Sequence, residues 1–118
     1  LAHPLSARHG MHHGLANALM LPDSMEFIEA ADLADEQQRR IDTIRALFAE
    51  PGRAGDSLAD ETRSWIEELG IKFGLKHHGI PVDDIPALAN EAFLDTCHAT
   101  NLIPVTRDDL AAVYEKAL

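Results

Sequence analysis

Aromatic residues make up only 5% of this chain, and cysteine occurs once, at Cys97. A lone cysteine excludes an internal disulfide framework and fits a reducing compartment, where it serves as a small buried hydrophobe. Basic residues are short as well. Ten Lys plus Arg against 20 Asp plus Glu give a formal charge of −10, a surface that repels a phosphate backbone, so nucleic acid is not expected as a partner. No apolar run approaches the roughly 20 residues that a bilayer crossing requires. The longest, from Gly14 to Pro22, is interrupted by Asn17, and no membrane segment is expected. A basic-then-apolar signal order is missing, which makes a cytoplasmic location the default. Gly-rich phosphate loops and GxSxG elbows are missing too. The chain opens on Leu1 rather than Met, inside sequence that reads as structured, so an upstream part is an open expectation.

What is present is helical. The 118 residues are 46% hydrophobic, with Leu and Ala prominent and Glu, Lys, Arg and Gln supplying much of the rest. This is the balance of a single all-α domain over residues 1–118. A short apolar helix is expected from His13 to Met20, ended by Pro22. A second runs from about Ala34 to Glu50, with Ile41, Ile44, Leu47 and Phe48 at helical spacing, before "PGRAGD" breaks the pattern. Ser57, with Asp60 and Glu61 behind it, caps a third that carries Trp65, Ile66 and Leu69 on one face and stops at Gly70. After a loop to Pro81, Asp84 caps a fourth, with Pro86 in its first turn and Leu88, Ala92 and Phe93 inward. Thr106 and Asp109 form a capping box for the last, lined by Leu110, Val113, Tyr114 and Leu118. The expected fold is an irregular helical bundle of about five helices, with no strand and no repeat.

Chemistry concentrates near the start, where four of the seven histidines fall between positions 3 and 13: His3, His9, His12 and His13. Imidazole is a common ligand for divalent transition metals, but a site needs three or four groups converging from different segments. His9 and His13 lie four apart, yet Pro4 and Gly10 argue against one continuous helix through them, and no HExxH is present. Two readings stand on these residues alone: part of a metal site, or a histidine-rich helix start facing solvent. His77 and His78 fall in a solvated turn, Cys97 beside His98 is a poor nucleophile and base pair, and the carboxylates read as solubilising charge.

The stretch "AHPLSARHGMHHGLANALMLP" closely resembles the signature that opens the C-terminal helical portion of the iron-containing (group III) alcohol dehydrogenases, AHPLG followed by PHGxANAxxLPH. The resemblance continues through "GLKHHGIPVDDIPALANEAFLD" and "TCHATNLIPVTRDDLAAVYEKAL". Over Met25 to Leu69 it rests on helical character more than on residues. Departures from the pattern are Ser6 for Gly, His12 for Pro, Asp23 for His, and Leu102 and Ile103 for Pro-Arg.

That resemblance implies an oxidoreductase transferring hydride between an alcohol or aldehyde and NAD or NADP, with divalent iron as the Lewis acid and Zn(2+) as the alternative metal. His13 matches the last iron-ligating histidine. His3 matches a histidine beside the metal and nicotinamide, a proton relay or substrate contact, and is the expected catalytic residue, while His9 and His12 match no ligand. The remaining ligands are an aspartate and two histidines, one of them four positions before His3 and so ahead of Leu1. The resemblance therefore implies an N-terminal nucleotide-binding domain as partner, absent from these residues, and a chain inactive by itself. Homo-oligomer assembly is compatible with it. Ala16, Met20 and the Cys97 to Asn101 loop are expected to wall or support the substrate cleft. The contrasting expectation is a stand-alone helical interaction module, or an inactive remnant without metal, in which His13 is only a cap.

Overall fold

The computed structural model describes residues 1–48 and 57–118. Among these, six α-helices and no strand form: α1 Ala2–His9, α2 His13–Glu29, α3 Asp35–Phe48, α4 Leu58–Glu68, α5 Ile85–Leu94 and α6 Arg107–Lys116. Short 3-10 turns at Leu75–His78, Val82–Asp84 and Thr96–Thr100 punctuate the links. The all-α bundle expected from composition is what forms, with one more helix than the pattern implied. The expected end of the second helix at Glu50 and the "PGRAGD" break lie outside the described residues.

The additional helix is α1. Pro4 sits in its first turn, where the backbone N–H has no intrahelical partner to lose. Gly10 ends it with φ 66, a left-handed conformation that glycine adopts without strain, and donates its N–H to the Ser6 carbonyl at 3.0 Å. A continuous helix through His9 and His13 is thereby ruled out, as the spacing suggested.

At the centre lies α2, which packs against α1, α4 and α6. It does not stop at Pro22 but runs through it to Glu29. An interior proline removes one backbone bond and costs about 3 kcal/mol or more. Leu19 and Met20 are 1% and 2% exposed, and burying each contributes roughly 1.5–3 kcal/mol. Packing outweighs the local break, which is why a residue-by-residue propensity places the end too early. Asp23, also buried in α2, receives a hydrogen bond from Arg63 of α4 at 2.8 Å.

Caps legible in the sequence form at α4 and α6. Ser57 Oγ accepts the Asp60 N–H at 3.1 Å. Two further free N–H groups of α4, on Leu58 and Ala59, donate to the Glu29 carboxylate at 2.8 and 3.1 Å, so the end of α2 caps the start of α4. The Thr106 and Asp109 box closes in both directions. Two expected apolar faces are thinner than their spacing suggested. Ile41 is buried, but Leu47 is 78% exposed; Ile66 is buried, but Trp65 and Leu69 are exposed.

Asp84 occupies the position before α5 but makes no capping bond. Its carboxylate instead faces α1, lying 3.2 Å from His9 Nε2 and 3.9 Å from Arg8, while Arg8 donates to Glu91 at 2.7 Å. These pairs, the burial of Leu5 and a hydrogen bond from the Tyr114 hydroxyl to the Leu1 carbonyl at 2.5 Å fasten α1 to the bundle.

Candidate functional site

The turn Gly10 to His12 delivers His13 as the first residue of α2, exposed at the helix start. Its Nδ1 lies 3.1 Å from Ser6 Oγ. The Ser6 hydroxyl donates its only proton to the Ala2 carbonyl at 3.2 Å, so its oxygen accepts from His13 Nδ1–H. The lone pair of His13 is then on Nε2, the nitrogen that Ser6 does not hold. An imidazole oriented through one nitrogen and bare at the other is the donor arrangement of a metal-ligating histidine. Ser6, a departure from the AHPLG pattern, is the group that orients it.

His3 stands one helical turn before Ser6 on the same face of α1. Its side chain is 69% exposed and donates through Nδ1 to Asp95 Oδ2 at 2.8 Å. Asp95 follows α5 and opens the 3-10 turn, its Oδ1 accepting the Cys97 N–H at 3.0 Å. Hydrogen bonds from the Cys97 backbone first, and then from the Cys97 and His3 side chains, hold the Asp95 carboxyl well below the usual carboxylate range. The same carboxylate pushes the Cys97 thiol up, by its hydrogen bond and its charge. Cys97 is exposed, not a buried small hydrophobe, and it is poorly suited to be a thiolate nucleophile.

A cavity of about 240 Å3 opens beside this pair, lined among others by Met20, Asn17, Cys97, His98 and Asn101. Met20 and residues of the Cys97 to Asn101 loop border this cavity, while Ala16 is fully buried in the core. His98 is stacked on Phe93 with ring centroids 5.0 Å apart, and its Nε2–H donates to the Phe93 carbonyl at 2.9 Å, which fixes it as lining.

Of the other histidines, His9 Nε2 lies 3.2 Å from Asp84 Oδ2 without a hydrogen bond, His12 precedes α2 with no side-chain cap bond, and His78 donates to the Lys72 carbonyl at 2.7 Å. Among the described residues no group of three or more His, Cys, Asp and Glu side chains converges to hold a metal ion. The group that sequence reasoning missed is Asp95. It lies 92 positions from His3, and its only local signal is the Asp-x-Cys start of a tight turn.

The profile of the Fe-containing alcohol dehydrogenase family, C-terminal, matches residues 1–118. Lactaldehyde reductase of Escherichia coli (strain K12) is 33% identical over 99% of this chain and 31% of its own length. 4-Hydroxybutyrate dehydrogenase of Cupriavidus necator is 27% identical over 100% and 31% respectively. The fold superposes on the crystal structure of 1,3-propanediol oxidoreductase with a TM-score of 0.78 and 26% identity, covering 99% of this chain and 31% of that one. The chain spans about a third of the length of these relatives. A helical bundle that starts with a histidine-bearing α1–α2 corner and is matched from end to end by this profile belongs to the Fe-containing alcohol dehydrogenase family, as its C-terminal part.

Proposed function

We propose that this chain is the helical part of an NAD- or NADP-dependent alcohol or aldehyde oxidoreductase that uses a divalent metal, iron in the first place, with His13 as the ligand the chain contributes. The observation that carries this reading is the His13 imidazole held at Nδ1 by Ser6, with no hydrogen bond to its Nε2 among the described residues. When bound, iron supplies a Lewis acid for the alcohol or carbonyl oxygen, and the nicotinamide supplies the partner for hydride.

The chain's own residues do the rest. His13 offers one fixed donor. His3, with Nδ1–H engaged by Asp95, keeps Nε2 to take the proton lost when a hydroxyl becomes a carbonyl, and to return it in the reverse direction. Met20, Cys97 and His98 line the adjacent cavity, which has room for a small alcohol or aldehyde and restricts competing water. The remaining ligands and the nucleotide site come from a nucleotide-binding part outside these 118 residues. No helix among the described residues is long and apolar enough to cross a membrane; a cytoplasmic location is part of the proposal.

The test compares the longer protein that carries this domain with the 118-residue chain. The longer protein, loaded with iron, is expected to reduce NAD or NADP in an alcohol-dependent way, and the chain alone is not. Turnover by the chain alone overturns the division of labour. Iron-loaded longer protein without any such activity on a panel of small alcohols and aldehydes overturns the function.

A further inference from the structure

We propose that Asp95 is the positioning residue for His3: its carboxylate selects the His3 tautomer that leaves Nε2 unprotonated and facing outward. The inference deepens the reading of His3 as proton carrier and rests on it for its catalytic meaning, but the Asp95–His3 relation stands on geometry of its own.

The carboxylate is anchored before it meets the imidazole. Its Oδ1 is tied to the Cys97 backbone N–H at 3.0 Å, at the first turn after α5, so the group does not rely on His3 for its orientation. Its Oδ2 then lies 2.8 Å from His3 Nδ1. An ionised carboxylate only accepts, so the proton of this bond belongs to Nδ1 and the lone pair of a neutral imidazole to Nε2. Exposure runs the same way: 69% for the His3 side chain against 21% for Asp95, with the carboxylate as the inner, fixed partner.

Two further contacts set α1 against α5 and the turn before it: the Arg8 to Glu91 bridge at 2.7 Å and the approach of His9 Nε2 to Asp84 at 3.2 Å. The His3–Asp95 pair is thus the third link along one helix pair. Exposed ion pairs add little to stability, and what this one adds is direction. The logic is that of a carboxylate orienting a catalytic imidazole, reached here by a residue beyond the far end of α5. When a hydroxyl is oxidised to a carbonyl, its O–H proton passes to Nε2 while its C–H hydride passes to an oxidised nicotinamide; the Asp95 carboxylate stays ionised throughout and stabilises the imidazolium.

The first arm of the test uses the longer protein labelled with 15N-histidine, whose two-bond proton–nitrogen spectra read each ring's tautomer, with the His3 signal assigned by its loss in His3→Ala. Wild type is expected to show His3 protonated at Nδ1. Asp95→Asn retains that state, since the amide oxygen also accepts, whereas Asp95→Ala releases His3 to a mixture of tautomers, with unchanged helical circular dichroism as the folding control. A wild-type His3 protonated at Nε2, or an Asp95→Ala spectrum identical to wild type, overturns the positioning role. The wild-type reading decides even where the alanine variant fails to fold. The second arm uses the longer enzyme. Asp95→Ala is expected to lower kcat by about 10-fold or more, with the asparagine variant in between, and to add no loss in a His3→Ala background. Full kcat in Asp95→Ala alongside a depressed His3→Ala overturns the proposal. Full kcat in His3→Ala overturns the catalytic reading of His3 alone, while the tautomer dependence still upholds Asp95 as its positioning residue.

Discussion

Ser6 Oγ lies 3.1 Å from His13 Nδ1 and spends its own proton on the Ala2 carbonyl, 3.2 Å away. The hydroxyl therefore acts as an acceptor toward the imidazole, and a residue of α1 decides which nitrogen of α2 is available. Ser6→Ala removes that acceptor. In the longer protein we expect metal retention to weaken by about 10-fold, the lower end of what lost partners of ligating histidines cost. Competition with a chromogenic chelator measures it; equal retention in both proteins would contradict the assignment.

Arg63 is the partner of the buried Asp23 carboxylate. Arg63→Met leaves that charge unpaired, with an expected loss of about 3 kcal/mol in urea unfolding at pH 7. Burial is the largest influence on Asp23 and raises its pKa, with Arg63 opposing. A carboxyl raised in the folded state favours folding below its unfolded pKa, and that contribution is lost as pH rises through the folded value. The deficit of Arg63→Met is accordingly smaller near pH 4 than at pH 7. A deficit independent of pH would show that Asp23 is not the group responsible.

At the start of α6 the linkage has the opposite sign. Hydrogen bonds from Thr106, side chain first and backbone second, lower the pKa of Asp109. A depressed carboxyl contributes stability above its unfolded pKa and loses it as pH falls through the folded one. Thr106→Ala should cost about 1 kcal/mol at neutral pH, and the cost should shrink in acid. Chemical denaturation at pH 7 and pH 3 checks this; a constant difference would separate the cap from Asp109 ionisation.

Where a feature depended on neighbours in sequence, it was legible. Ser57 with Asp60, and Thr106 with Asp109, announce helix starts three residues in advance, and both caps form. Where tertiary packing outweighs local preference, legibility ends. Pro22 reads as a stop, yet α2 passes through it because both sides of the break are buried. Pro4 and Gly10 read as interruptions, yet they fall in the first turn and at the cap of α1, the positions that tolerate them. Asp84 reads as a cap, but its carboxylate goes to α1, a segment no local pattern connects with it. The His3–Asp95 pair is the extreme case, since 92 residues of chain separate its members and only the packing of α1 on α5 joins them. Cys97, expected in the core, is exposed because its turn follows Asp95 at the rim of the cavity.

The central claim is that this chain contributes one metal ligand, His13, to a site completed elsewhere in the protein. Metal analysis of the longer protein, purified in parallel as wild type and His13→Ala after iron loading, tests it most directly. We expect near-stoichiometric metal in the wild type, with metal and alcohol-dependent NAD(P) reduction lost together in the variant. Normal metal content in a folded His13→Ala protein would contradict the assignment.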